Sequence, residues 1–110
     1  MKISDLINTL SLTVFNEGDI SKEVTSGYTS DLLSDVMGNA VEGCVWITLQ
    51  THRNITAISA LKEIGAVIIV KGFEPDENTL KHAKEEGITL LGSKDENFEL
   101  TGKIYALLNA

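Results

Sequence analysis

The stretch AVIIVKG, Ala66 to Gly72, constrains this chain more than any other. A strand with one wet face alternates apolar and polar residues, whereas an unbroken apolar run must be covered on both faces, as in parallel sheets flanked by helices. The run is β-branched, which suits a strand, and far shorter than the ~20 residues a membrane helix needs. Its neighbours fit the same plan. CVWITLQ reads as a second strand, and NITAISALKEIG as a helix with Ile55, Ile58, Leu61 and Ile64 inward and Gly65 as its C′ glycine. PDENTLKHAKEEG opens on Pro75 and two acids, closes at Gly87, and carries the surface pairs Glu77–Lys81 and Lys81–Glu85. ITLLG is a third strand. Ser93 and Glu96 then form a capping-box pattern before a last helix with Phe98, Tyr105 and Leu108 on one face. Strand–helix alternation of this kind predicts right-handed crossovers and a parallel sheet.

The first half is less regular. Ile3, Leu6, Ile7 and Leu10 recur at helical spacing, SLTVFN follows as a strand, and NEGD as a turn. Ser21 to Ser26 reads as a short polar extended segment. A helix from about Ser30 places Leu33, Val36, Met37 and Ala40 on one stripe, with Gly43 at the chain's exit. The expectation is an α/β fold: a three-layer-like sandwich around a mixed, largely parallel sheet with helices on both faces. The 110 residues contain no linker, repeat or low-complexity stretch, so residues 1–110 are expected to form one domain.

Charge narrows the partners. A formal net charge of −7, with nine scattered basic residues, disfavours nucleic acid and anionic membrane surfaces. Cys44 is the only cysteine and MKISDLINTL does not read as a secretory signal, so a cytoplasmic protein is expected. The two histidines lack H-x-H or H-E-x-x-H spacing, so no metal site is expected; weak magnesium or calcium contact at Asp31 and Asp35 is a lesser alternative. No cofactor is expected: P-loop, dinucleotide and G-x-S-x-G motifs are all missing.

Candidate chemistry gathers at two places. Parallel sheets bind ligands beyond the carboxyl ends of their strands, here QTHRN (Gln50 to Asn54), KGFE (Lys71 to Glu74) and GSKD (Gly92 to Asp95). Gln50, Thr51, His52, Arg53, Asn54, Lys71, Ser93 and Lys94 would form a shallow polar pocket there. Equally, Asn54 and Ser93 would be helix caps, Lys71 a solvated surface group, and His82 solvent-exposed. The second place is TSGYTSDLLSDVMGNA, where Asp31 and Asp35 stand four apart on an expected helix. In one reading Thr29 or Ser30 caps that helix, Gly27 makes a tight turn and Asp35 faces water. In the other, the loop Gly27, Tyr28, Thr29, Ser30 and Asp31 joins Asp35 in a recognition surface. Cys44 and Trp46 are read as core.

GYTSDLLSDVMGNA, WITLQTHRNITAISALKEIGAVIIVKG, PDENTLKHAKEEGITLLGS and FELTGKIYALL, taken in order, resemble the DRTGG-domain family, which is similar to the N-terminal domain of HPr kinase/phosphorylase. The resemblance runs from about Ile3 to Leu108, although the literal string DRTGG is missing. It implies a bacterial, stand-alone regulatory module without the kinase domain, whose P-loop lies elsewhere in that enzyme. Similar domains accompany some phosphotransacetylases, and stand-alone relatives occur near redox and hydrogenase genes. No catalytic residue carries over. The implied function is a non-catalytic regulatory or ligand-sensing domain acting through self-association, most simply as a dimer, or through a partner protein or small-molecule effector. The alternatives are a small enzyme using His52 with Lys71 or an aspartate, and a purely structural assembly subunit.

Overall fold

Four parallel strands follow one another in sequence and in space. In the computed structural model, which describes residues 1–110, these are β2 (Gly27–Thr29), β3 (Val45–Thr48), β4 (Ala66–Ile69) and β5 (Leu90–Gly92). The first strand, β1 (Thr13–Asn16), pairs antiparallel with β5, giving the order β1-β5-β4-β3-β2. The sheet is therefore mixed and largely parallel, as its central apolar run requires. Every residue of β3, β4 and β5 is buried.

Strand alternation divides that burial between two cores. Val45, Ile47, Ala66, Ile68, Val70 and Leu91 pack on one side with α1 (Ile3–Leu10) and α5 (Asn97–Leu108). Cys44, Trp46, Val67, Ile69 and Leu90 pack on the other, against α2 (Leu33–Asn39), α3 (Asn54–Lys62) and α4 (Glu77–Glu86). Three successive crossovers thus lie on one face, and only α5 returns across the other. Burial pushes the Cys44 thiol up from its ordinary range, in keeping with a core role.

Several local expectations need correction. Gly27, Tyr28 and Thr29 form an edge strand rather than a turn, because pairing with Val45, Trp46 and Ile47 recovers backbone bonds a loop would leave to water. Ser21–Ser26 forms no strand, but it carries the Lys2–Glu23 bridge and backbone bonds to Met1, Ile3, Gly43 and Val45. Helix α2 begins at Leu33, with Leu32 at its N-cap, so Asp31 and Asp35 do not share a helix and neither Thr29 nor Ser30 caps it. Gly43 is left-handed but belongs to the turn entering β3, since α2 already ends at Ala40. Helix α3 closes on Glu63, at φ 53°, instead of on Gly65, and Arg53 rather than Asn54 stands at its N-cap. The Ser93–Glu96 capping box does not form. Glu96 is itself the N-cap of α5, and the Ser93 hydroxyl accepts the Asp95 N–H at 3.1 Å. Leu61, Phe98 and Tyr105 point outward, while Leu100 and Ile104 carry the inner face of α5. Neither Lys81 pair closes. The i, i+4 contact on α4 is instead His82 Nε2 to Glu86 Oε1, at 3.7 Å.

Gly65 matters for space. A Cβ there would lie 2.8 Å from the Gly43 carbonyl oxygen and 3.1 Å from that of Cys44, both in backbone that cannot swing away. Gly38, inside α2, has open space around its Cβ position. Gly65→Ala should cost about 1–3 kcal/mol by overpacking, while Gly38→Ala should raise stability by about 0.5–1 kcal/mol through helix propensity. Urea unfolding of the two variants checks both signs.

Candidate functional site

The carboxyl ends of the strands are organised around Asp31. Its Oδ1 accepts the Thr48 hydroxyl at 2.8 Å and the Leu49 N–H at 2.7 Å, and its carbonyl accepts the Gln50 side-chain amide at 3.0 Å. One residue earlier, the Ser30 carbonyl accepts the Trp46 indole N–H at 2.9 Å. Trp46 is fully buried, so its N–H needs a partner, and the strand end of β2 supplies it. The carboxylate of Asp31 thereby staples the β2 exit to the β3 exit.

Asp35 serves a separate contact. It accepts the Tyr28 hydroxyl at 2.7 Å and the Asn39 amide at 3.0 Å, tying α2 to the edge strand. The Tyr28 hydrogen bond holds the Asp35 carboxyl below its ordinary range, and the same bond, with burial and the nearby charge, pushes Tyr28 up. The two carboxylates are thus committed to different partners. No group of three or more His, Cys, Asp or Glu side chains in the structure could hold a metal.

Chain direction locates the opening. After β4 the chain turns toward the α2–α4 face, and after β5 toward the α1–α5 face, so the switch point lies between these neighbours. That gap is closed by backbone. Lys71, at φ 64°, donates its N–H to the Asp95 carbonyl at 2.8 Å, and Gly72 donates to Ser93 at 2.8 Å. What stays open is a cavity of about 290 Å³ beside it, lined by Asp31, Leu49, Val70, Lys71, Glu96, Asn97 and Phe98.

The nominated residues therefore separate. Asp31 and Lys71 line this cavity, and Gln50 braces its edge. Gly27 and Thr29 line a different groove of about 290 Å³ between β2 and α5, where the Thr29 and Thr101 hydroxyls meet at 2.9 Å. The Thr51 carbonyl receives the Asp76 N–H at 3.0 Å and the Thr79 hydroxyl at 2.8 Å, anchoring α4. His52 Nδ1 lies 2.5 Å from Asp76 Oδ2 on the exposed side. Asn54 is the exposed first residue of α3. Sequence reasoning missed Asp76, for which PDEN at a helix start was the available signal, and missed Glu96, Asn97 and Phe98, which only the return of α5 brings to Asp31. It also misplaced His82, whose side chain is 11% exposed and bonded to Thr56 Oγ1 at 2.8 Å.

No protein-family model matches the sequence, and no curated protein matches it. The fold, however, is similar to a solved structure, the CBS and DRTGG domains of the regulatory region of Clostridium perfringens pyrophosphatase complexed with its activator, diadenosine tetraphosphate. The TM-score is 0.71 at 16% identity, over 89% of this chain and 43% of that one. The chain thus spans less than half of that structure, and the likeness supports a DRTGG-related fold.

Two measurements test these contacts. Asp31→Ala should lower stability by about 1–3 kcal/mol, since it removes a charged acceptor serving the buried Thr48 hydroxyl and a backbone N–H. In a Tyr105→Phe background, the Tyr28 absorbance titration should fall above the ordinary tyrosine range, and Asp35→Asn should bring it down. Because the folded Asp35 pKa is depressed, its stabilising contribution is present above the unfolded carboxylate range and disappears as pH falls through the folded value. Tyr28→Phe should flatten that part of the acid unfolding curve.

Proposed function

We propose that residues 1–110 form one DRTGG-like domain, similar to the N-terminal domain of HPr kinase/phosphorylase, that works as a non-catalytic, ligand-sensing regulatory module in the cytoplasm. The observation that carries this reading is the cavity beside Asp31. Its floor is pinned by bonds between strand ends, while its rim offers an unpaired Lys71 ammonium and the ring of Phe98, which is 86% exposed. A pinned floor with free rim groups binds without rearranging. It also adjoins both α5 and the β2 exit, so occupancy can be felt at the edge of the sheet. The fold likeness to a regulatory region with a nucleotide activator favours the same reading.

Output through self-association, most simply a dimer, or through a partner protein is favoured by the outer face of α5. Phe98 and Tyr105 there are 86% and 70% exposed, and exposed aromatic clusters of this kind mark interaction surfaces. No helix is long and apolar enough to cross a membrane. The net charge of −7 also argues against nucleic acid. A second reading, a small enzyme, is favoured only by the His52–Asp76 pair, which would orient an imidazole as a base.

The deciding experiment is a thermal-shift screen with diadenosine tetraphosphate, adenine nucleotides, acetyl-CoA, acetyl phosphate and phosphorylated sugars, alongside Lys71→Ala and His52→Ala. A sensor gains about 2.7 kcal/mol at a ligand concentration 100 times Kd. The expected result is a rise that Lys71→Ala removes and His52→Ala keeps. A flat screen would overturn the sensor reading in favour of a structural assembly subunit, and turnover lost on His52→Ala would overturn it in favour of the enzyme.

A further inference from the structure

Away from that cavity, only Lys103 of the nine Lys and Arg side chains forms an ion pair. The close contacts between basic and acidic groups are Met1–Glu23, Lys103–Asp95 and the histidine contacts His52–Asp76 and His82–Glu86. The side chains of Arg53, the only arginine, and Lys81 are, like most of the lysines, in no ion pair, and they make no hydrogen bond, although the chain holds 16 acidic residues. Both face one cleft of about 300 Å³ between α3 and α4, lined by Arg53, Asn78, Lys81, His82 and Glu85.

The back of this cleft is built. Thr56 Oγ1 donates its single proton to the Arg53 carbonyl at 2.9 Å, so the His82 ring must be the donor in its 2.8 Å contact with that hydroxyl. One buried threonine therefore fixes the ring on α4 and the backbone of Arg53 on α3. Helix α3, nine residues long, has no side-chain cap; the Ile55, Thr56 and Ala57 N–H groups bond the His52 and Arg53 carbonyls, and the helix dipole adds positive potential beside the guanidinium. A guanidinium fork, an ammonium and a carboxamide form a set of donors opposed by one lining carboxylate, Glu85. Tetrahedral oxyanions with several acceptor oxygens match such a set.

We propose that the α3–α4 cleft is a binding site for the phosphoryl group of a small soluble molecule, with Arg53, Lys81 and Asn78 as its donors. The site goes beyond the cavity beside Asp31, and variants tell the two apart: Lys71→Ala should leave phosphate binding in the cleft intact, and Arg53→Gln should leave binding at the cavity intact.

The test is an amide NMR titration of the folded protein with inorganic phosphate and with pyrophosphate, against sodium chloride at matched ionic strength. Saturable shifts are expected at Arg53, Asn54 and Asn78. Loss of either cation removes a charge-assisted bond, so Arg53→Gln and Lys81→Gln should each weaken the dissociation constant about tenfold or more, with thermal stability unchanged because both side chains are unpartnered. Glu85→Gln should tighten it several-fold, and Lys2→Gln should leave it alone. Shifts that follow ionic strength without saturating, or a dissociation constant unaltered by Arg53→Gln, would overturn the proposal.

Discussion

Everything in this molecule follows from burying β3, β4 and β5 on both faces. A peptide group taken from water must be paired, and a strand covered on both sides can find partners only in its neighbours. That requirement puts β1 on one flank and β2 on the other, although both are short and, unlike the inner three, partly exposed. It also demands two layers of helix, supplied three and two. The unequal split is why α5 must cross back beneath the sheet, and that crossing brings Phe98 and Asn97 to Asp31.

The edge strand β2 is the weakest consequence of this plan and receives the most side-chain support. Three residues of parallel pairing give little, so the chain adds the Trp46 indole to Ser30, the Asp31 carboxylate to Thr48 and Leu49, and the Tyr28 hydroxyl to Asp35. These bonds join β2 and its exit to β3, the β3 exit and α2. Asp31 and Asp35 are thus answers to one packing problem. Whether the first also frames a ligand depends on what stands above it.

How much of this was legible in the sequence varies with the range of the interaction. The inner strands, the three later helices and the mixed sheet were readable, because their patterns are written in consecutive residues. Gly27–Thr29 was not, since a Gly-Tyr-Thr triplet has strand character only when Val45–Ile47 lies beside it. The same limit hid His82. Its neighbours on α4 are charged, yet the Thr56 that holds it lies 26 positions away. Caps misled for a related reason: Ser93 and Asn54 have the chemistry of N-caps, but the chain's entry angle set by the sheet placed Glu96 and Arg53 there instead. The carboxyl-end cavity was half legible, as strand ends can be listed from sequence but the return of α5 across them cannot.

A functional reading of such a surface turns on which groups are already committed. Asp31, Asp35, Gln50, Thr51 and His52 all looked like recognition residues, and each is bonded to another part of the chain. A ligand that engaged them would have to replace those bonds, at a cost comparable with what it gained. Lys71, Arg53, Lys81 and Phe98 carry no such obligation. Three are cations unpaired in a chain of net charge −7, and the fourth is an exposed ring. Binding free energy is most available where charge and apolar surface remain uncompensated. The free groups lie at the outer edges of the strand ends and between α3 and α4, so at these edges, more than at the conspicuous aspartates, charge and apolar surface remain uncompensated.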